Sequence, residues 1–444
     1  MQCTDRKSKH KKIVLTLLSI FLIAMGISSL PFSVKAAAPN LALEVKSAIL
    51  VEASTGKVLF EMNAKEPFAP ASMTKMMTEY LILDAIKNGK LSWDDVATAD
   101  DYVYFMGKNG GSRVFINKGE KRTVRELFSA MAIYSANDAT VMLAQLLAGS
   151  ETAFVQMMNE KAKEFGMKNT HFVTASGYPE DLLKEYRPQI EGKQLMSAED
   201  AAILGLRLIT DHPEVTQFTS VPFAKFREGQ KDEISMRNWN LLLPGLKYAY
   251  EGADGLKTGH TTEAKWSFTA TAKRGNMRLI AVVMGAETED KRFQETIKLF
   301  DYGFNNFQLT QILPSGATVP GHEEASVSKG KERTVKMVTA APYMDVTRKG
   351  ETAALFDMQV TEDPSLLVAP IKKGDRVGTL KVTYKGKEPF RYLTPEEEKK
   401  AEKALVAGTD VEKGGFIQLF FRAIFDFIGN LFHQMVQMIG GWFR

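Results

Sequence analysis

Cysteine is all but absent: Cys3 is the single one in 444 residues. The chain can therefore form no internal disulfide, and its stability must come from its core. Cysteine nucleophiles, thiolate zinc sites and iron–sulfur clusters are excluded with it. Histidine is sparse, and His171, His212, His322 and His433 stand apart, with no His-x-x-x-His pair and no carboxylate cluster beside them. No metal and no cofactor is expected from that scatter. The Gly-x-Ser-x-Gly elbow of one large hydrolase class is missing. An excess of one charge is missing too. The formal net charge is +4, but residues 1–37 carry +5 by themselves, which leaves −1 for the remainder. Nothing in that balance points to nucleic acid as a partner. Internal repeats and low-complexity tracts are also absent.

What is present is an ordinary globular composition, 44% hydrophobic and 25% charged, in a chain long enough for two or three domains. Residues 1–12 are basic, 13–27 are apolar, and small residues follow through Ala36, Ala37 and Ala38. That succession predicts a cleaved signal peptide over 1–37 and hence an exported protein. At the other end, 416–444 carries Gln418, Arg422, Asp426, Asn430, His433 and Gln437 as one polar stripe. Phe416, Phe420, Ile424, Ile428, Leu431, Met435 and Ile439 lie opposite. This predicts an amphipathic helix lying in the plane of a membrane surface rather than crossing it. The expected location is the outer face of the cytoplasmic membrane.

Between these ends, 47–53 and 57–62 read as a hairpin around Ser54-Thr55-Gly56, and 93–120 as loops with short strands. Thr123-Val124-Arg125-Glu126 is a capping box that opens a helix to about 132. Helices follow over 138–148, 151–165 and 198–210. Strands are expected over 255–261, 266–273 and 277–285, and a closing helix over 290–302. The pattern predicts an α/β domain over 38–308, an antiparallel sheet with a helical cluster packed on it. From about 309 the alternating runs 327–338, 352–360, 365–368 and 376–384 predict a small all-β domain to 394. The Glu- and Lys-rich 395–415 reads as a polar stalk.

Chemistry concentrates at Ala69-Pro70-Ala71-Ser72-Met73-Thr74-Lys75. Pro70 disfavours helix before it. Met73, Met76, Met77, Tyr80 and Leu81 then recur at helical spacing, with Gly89 as the stop. Ser72 thus opens a helix, and Lys75 lies one turn on along the same side. A serine hydroxyl needs a base within reach to become a nucleophile, and a lysine is that base only when burial or another cation keeps it neutral. Ser135-Ala136-Asn137 comes 63 residues after Ser72, and Lys257-Thr258-Gly259 a further 122 after Ser135. Together, in this order and at a helix start, a helix–helix break and a strand, the three match the set shared by penicillin-binding proteins and class A β-lactamases.

Ser135 to Ala139, Met157 to Ala162, Gly166 to Thr170 and Gly252 to Thr261 extend the likeness. Over roughly 40–400 the chain resembles a low-molecular-mass penicillin-binding protein of the D-alanyl-D-alanine carboxypeptidase type. The resemblance implies a penicillin-recognising, β-lactamase-like domain, a β-rich domain and a membrane-binding terminal helix. It implies a peptidoglycan stem peptide ending in D-Ala-D-Ala as substrate and β-lactams as covalent inhibitors. Ser72 would attack the penultimate D-alanine carbonyl with Lys75 as base. Ser135 would relay a proton to the leaving amine, and Asn137 would hold the substrate amide and Lys75. Lys257 and Thr258 suit the free carboxylate, with Gly259 beside them. The N–H groups of Ser72 and His260 would form the oxyanion hole, the His260 side chain contributing little. Ala136 departs from the family's frequent Asp or Gly at a position that carries no chemistry. A β-lactamase, an endopeptidase cutting cross-links and a non-catalytic peptidoglycan-binding scaffold remain as alternatives. No glutamate is assigned to activate a deacylating water.

Overall fold

All six residues of the first strand, β1 (Ser47–Glu52), are buried, and that decides the architecture. Alternate side chains of a strand point to opposite faces, so a strand buried throughout needs cover on both. Ile49 and Val51 enter one core, Ala48 and Leu50 another. The structure, a computed structural model, describes residues 40–442 other than Lys387, and side chains of the final helix as far as 436. The signal-peptide expectation for 1–37 lies outside the described residues.

β1 and β2 (Lys57–Met62) form the expected hairpin. β3 (Ala253–Thr261), β4 (Lys265–Arg274) and β5 (Met277–Ala286) complete a five-stranded antiparallel sheet in the order β2-β1-β5-β4-β3. One face is covered by α1 (Lys75–Lys87), α2 (Asp101–Asn109), α3 (Val124–Tyr134), α4 (Asn137–Ala148), α5 (Glu151–Glu164) and α6 (Ala198–Asp211). The other is covered by α7 (Glu289–Asn306), through Phe293, Leu299, Phe300 and Phe304. Helices therefore lie on both faces, one more layer than a cluster on one side.

The helix starts follow their caps. Thr123 and Glu126 make the reciprocal capping box, and Ser150, Ser197 and Thr288 cap α5, α6 and α7. The expectation of loops over 93–120 is corrected: α2 is a helix, capped by Asp100 through Val103 N–H at 2.9 Å. Its short length and the glycines around it hid the burial of Tyr102, Val103 and Met106. Gly107 is needed there, because a Cβ would come 2.6 Å from the Ile116 carbonyl.

The C-terminal part from residue 307 is β-rich as expected, with different detail. β6 (Phe307–Leu313) pairs with β9 (Tyr343–Arg348), a strand that the sequence pattern did not mark. β7 (Glu324–Ser326), β8 (Thr334–Thr339), β10 (Phe356–Glu362), β11 (Arg376–Tyr384) and β12 (Lys403–Ala407) form a five-stranded sheet in the order β7-β8-β12-β11-β10. The run 327–338 splits at a turn, and 365–368 supplies only the Ser328–Val368 bridge. The polar stalk over 395–415 is overturned. β12 is the central strand of that sheet, and Leu405 and Ala407 are buried in its core. Five alternating residues at the end of a Glu/Lys-rich run were outweighed by the composition around them.

The last helix, α8 (Phe416–Trp442), leaves Phe416, Ile417, Phe420, Phe425 and Phe427 more than half exposed. Part of its polar stripe meets the chain itself. Arg422 donates to the carbonyls of Gly330 and Lys331 at 2.8 and 2.9 Å, and Asp426 pairs with Arg333 at 2.9 Å. Among the described residues no helix is long and apolar enough to cross a membrane.

Candidate active site

Ser72 sits in a 3-10 turn, Ala71–Thr74, that leads straight into α1. Nine consecutive residues from Lys75 to Leu83 are buried, so α1 is enclosed on every side rather than along one stripe. Lys75 is fully buried. Its Nζ lies 3.1 Å from Ser72 Oγ, 2.5 Å from Asn137 Oδ1 and 2.7 Å from the Ser176 carbonyl oxygen. On the far side of the Asn137 amide its NH₂ donates to the Gly110 carbonyl, which forces the acceptor end toward the lysine. Two of the amine's three neighbours can only accept. A neutral amine has two N–H bonds for them and a lone pair left for the Ser72 hydroxyl.

Burial drives the Lys75 pKa well below the ordinary lysine value, and the positive charge of Lys257 adds to the effect. Glu79, Asp138 and Glu151 oppose it without reversing it. Two glycines make the approach possible. A Cβ on Gly177 would lie 1.9 Å from the Ala71 carbonyl oxygen, so only glycine brings the Ser176 carbonyl to the lysine. A Cβ on Gly259 would come 2.5 Å from the Pro70 carbonyl oxygen, so the Lys-Thr-Gly strand needs glycine to lie against the Ser72 turn.

Ser135 ends α3 in a left-handed conformation, φ 61°, and its Oγ is buried without a hydrogen-bond partner. Asp138, next in α4, accepts from the N–H groups of Val114 and Ile116 and so pins the loop before α3. Thr258, Gly259 and His260 lie on β3, the edge strand. They line a cleft of about 720 Å³ together with Ser72, Ser135, Asn137 and Trp239. Lys257 stands behind that lining with 2% of its surface exposed. The exposed His260 ring stacks on Trp266, centroids 3.7 Å apart. The structure therefore brings all the sequence-predicted residues to one cleft, with Lys75 and Lys257 beneath its surface. Among the described residues no cluster of three or more His, Cys, Asp or Glu could hold a metal.

The profile described as D-alanyl-D-alanine carboxypeptidase matches residues 33–288. The chain is 37% identical to D-alanyl-D-alanine carboxypeptidase DacF of Bacillus subtilis over 92% of this chain and 98% of that protein. The chain belongs to the D-alanyl-D-alanine carboxypeptidase family. A second profile, the C-terminal domain of penicillin-binding protein 5, matches 307–413. Among solved structures, the peptidoglycan synthesis regulatory factor (PBP3) of Streptococcus pneumoniae superposes with a TM-score of 0.72 at 32% identity, covering 83% of this chain and 99% of that one. Penicillin-binding protein D2 of Listeria monocytogenes in its ampicillin-bound form gives a TM-score of 0.50 at 36% identity, covering 60% and 100%. Membership makes this chain a serine-type carboxypeptidase acting on D-alanyl-D-alanine ends.

One cleft residue of this carboxypeptidase was not legible in the sequence. Arg292, on the first turn of α7, lines the cleft wall beside Gly259 and His260. Its guanidinium lies 5.0 Å from the Trp266 ring and pairs with Glu289 at 3.2 Å, while Nε has no partner. Burial lowers its pKa to about 10, which leaves it charged at neutral pH. Arginine in an amphipathic helix carries no signal of its own; only the packing of α7 across β5 and β4 aims it at the site.

Proposed function

We propose that this carboxypeptidase works through an acyl-enzyme on Ser72, with neutral Lys75 as the base. The observation that carries this is the Lys75 amine, held by two acceptors so that its lone pair faces the Ser72 hydroxyl. The proton of Ser72 passes to Lys75 as Oγ bonds to the penultimate D-alanine carbonyl carbon. The oxyanion is received by the N–H groups of Ser72 and His260. The proton then reaches the leaving amine by way of Ser135, whose unpartnered Oγ is free to relay it, and Asn137 holds the substrate amide. Water releases the acyl group. Thr258 and the Arg292 guanidinium meet the free carboxylate at the cleft wall, with the charge of Lys257 behind them. A β-lactam carries a comparable carboxylate and amide, so it acylates the same hydroxyl and stays bound longer. Mass spectrometry after penicillin should place the adduct on Ser72. Ser72→Ala should abolish both the adduct and D-alanine release; an adduct elsewhere, or rapid penicillin turnover without D-alanine release, overturns the assignment.

The carboxypeptidase is also proposed to be exported and held at the outer face of the cytoplasmic membrane by α8. The exposed aromatic side chains of that helix support the attachment, as does its contact with residues 330–333, which leaves the apolar side outward. Truncation should follow Gly415 rather than Asp410, because Val411 and Lys413 bridge to Ile371 and Gly330. The shortened enzyme should no longer float with anionic lipid vesicles and should keep its activity on a soluble peptide.

A further inference from the structure

Glu79 is fully buried one helical turn beyond Lys75, and neither of its carboxylate oxygens has a hydrogen-bond partner. An unpaired buried carboxyl is costly, and the mechanism above does not use it. The other buried acids near Lys75 are satisfied. Asp138 on α4 accepts from backbone N–H groups, and Glu151 on α5 accepts from the Tyr102 hydroxyl at 2.5 Å and the Ala175 N–H at 2.7 Å. Asp200 on α6 accepts from the Asn169 N–H and the Thr170 hydroxyl, each at 2.8 Å. α3 buries no ionisable side chain, and His212, beyond α6, meets the Tyr80 ring edge to face. α1, which carries Glu79, packs against β3, which carries Lys257; the charged groups that act on Glu79 are Lys257 and Lys75, and those on Lys257 are Glu79 and Arg292. Among the described residues no carboxylate lies within ion-pair distance of Lys257 or Lys75.

We propose that Glu79 is a positioning residue that apportions protons between the two buried lysines: its carboxylate keeps Lys257 charged, and charged Lys257 keeps Lys75 neutral. Lys75 then has its lone pair at Ser72 while Lys257 retains a positive charge behind the carboxylate end of the cleft. Burial pushes Glu79 up from the usual carboxyl range and Lys257 down from the usual lysine range, so the two approach each other.

The inference rests on the Ser72–Lys75 reading, and its test separates the two. In Glu79→Gln the alkaline limb of kcat/KM for a D-Ala-D-Ala peptide, which reports loss of the Lys257 proton, should move to lower pH by at least ~0.5 unit. Glu79→Asp should return the limb toward its wild-type position. A folded Glu79→Gln enzyme whose limb does not move, or which is inert at every pH, overturns the inference, as does an equal shift in both variants. Penicillin labelling of Ser72 in these variants leaves the functional reading standing in either case. Should Glu79→Gln not fold, the infrared difference between wild type and Glu79→Asp decides. A Glu79 carboxyl band that titrates through the neutral range supports the role, and one that keeps a single protonation state overturns it.

Discussion

Two buried lysines, Lys57 and Lys75, meet opposite fates in this enzyme. Lys57, 4% exposed, crosses from β2 to the β-rich half and pairs with Asp345 on β9 at 2.6 Å. Phe390 and Tyr392 lie 5.7 and 5.4 Å from its ammonium. Around it Val58 N–H donates to the Arg391 carbonyl, and the Arg391 guanidinium pairs with Glu61 and Glu199. Lys75 is buried as deeply but meets neutral acceptors and the repulsion of a second lysine. Lys57, with a carboxylate beside it, ties two parts of the fold together. Lys75, without one and next to a second lysine, has its pKa lowered by burial, which suits it to the base role proposed above. The partner, rather than the residue type or its burial, separates structure from catalysis.

The comparison can be broken at either lysine. Lys75→Met should slow acylation of Ser72 by ~10²–10⁴-fold, the usual worth of a general base, without lowering thermal stability. Stopped-flow acylation and calorimetry read the two effects; a large loss of stability would make Lys75 a structural lysine like Lys57. Asp345→Ala should do the reverse. Leaving Lys57 buried and unpaired costs about 3–5 kcal/mol, seen as a lower midpoint in denaturant, while kcat/KM of the folded enzyme changes little. A sharper and smaller test lies at Lys257. Lys257→Ala removes the charge behind the carboxylate end and should cost free-acid peptides up to about ten- to hundred-fold, the roughly 1.5–3 kcal/mol of a direct charge-assisted hydrogen bond being the ceiling, and C-terminal amides much less. The sign in pH follows from the lowered lysines. Activity rises as pH climbs through the depressed Lys75 value and falls as Lys257 deprotonates, below the ordinary lysine range of about 10.4.

Much of the site could be read from the chain because its parts are local. Ser72 and Lys75 share one turn, Ser135 and Asn137 flank one helix break, and Lys257 to His260 follow one strand. What was not legible depended on distant segments. The Ser176 carbonyl reaches Lys75 only because Gly177 lets two backbones touch, and Arg292 reaches the cleft only through the packing of α7. The stalk reading of 395–415 failed for a related reason. β12 is short, and its place between β8 and β11 is set by partners that composition does not report.

By itself, then, the sequence determined what short-range sterics and hydrogen bonding decide. The Thr123–Glu126 box, the caps Ser150, Ser197 and Thr288, the tight turn in which Arg274 pairs with Met277 between β4 and β5, and the alternation in β11 all act within a few residues. The tertiary structure alone decided the protonation of Lys75, the company of Glu79 and the pairing of Lys57. A buried group's charge depends on how completely water is excluded and on which charges stand nearby, and Lys75 and Lys257 are 182 positions apart along the chain.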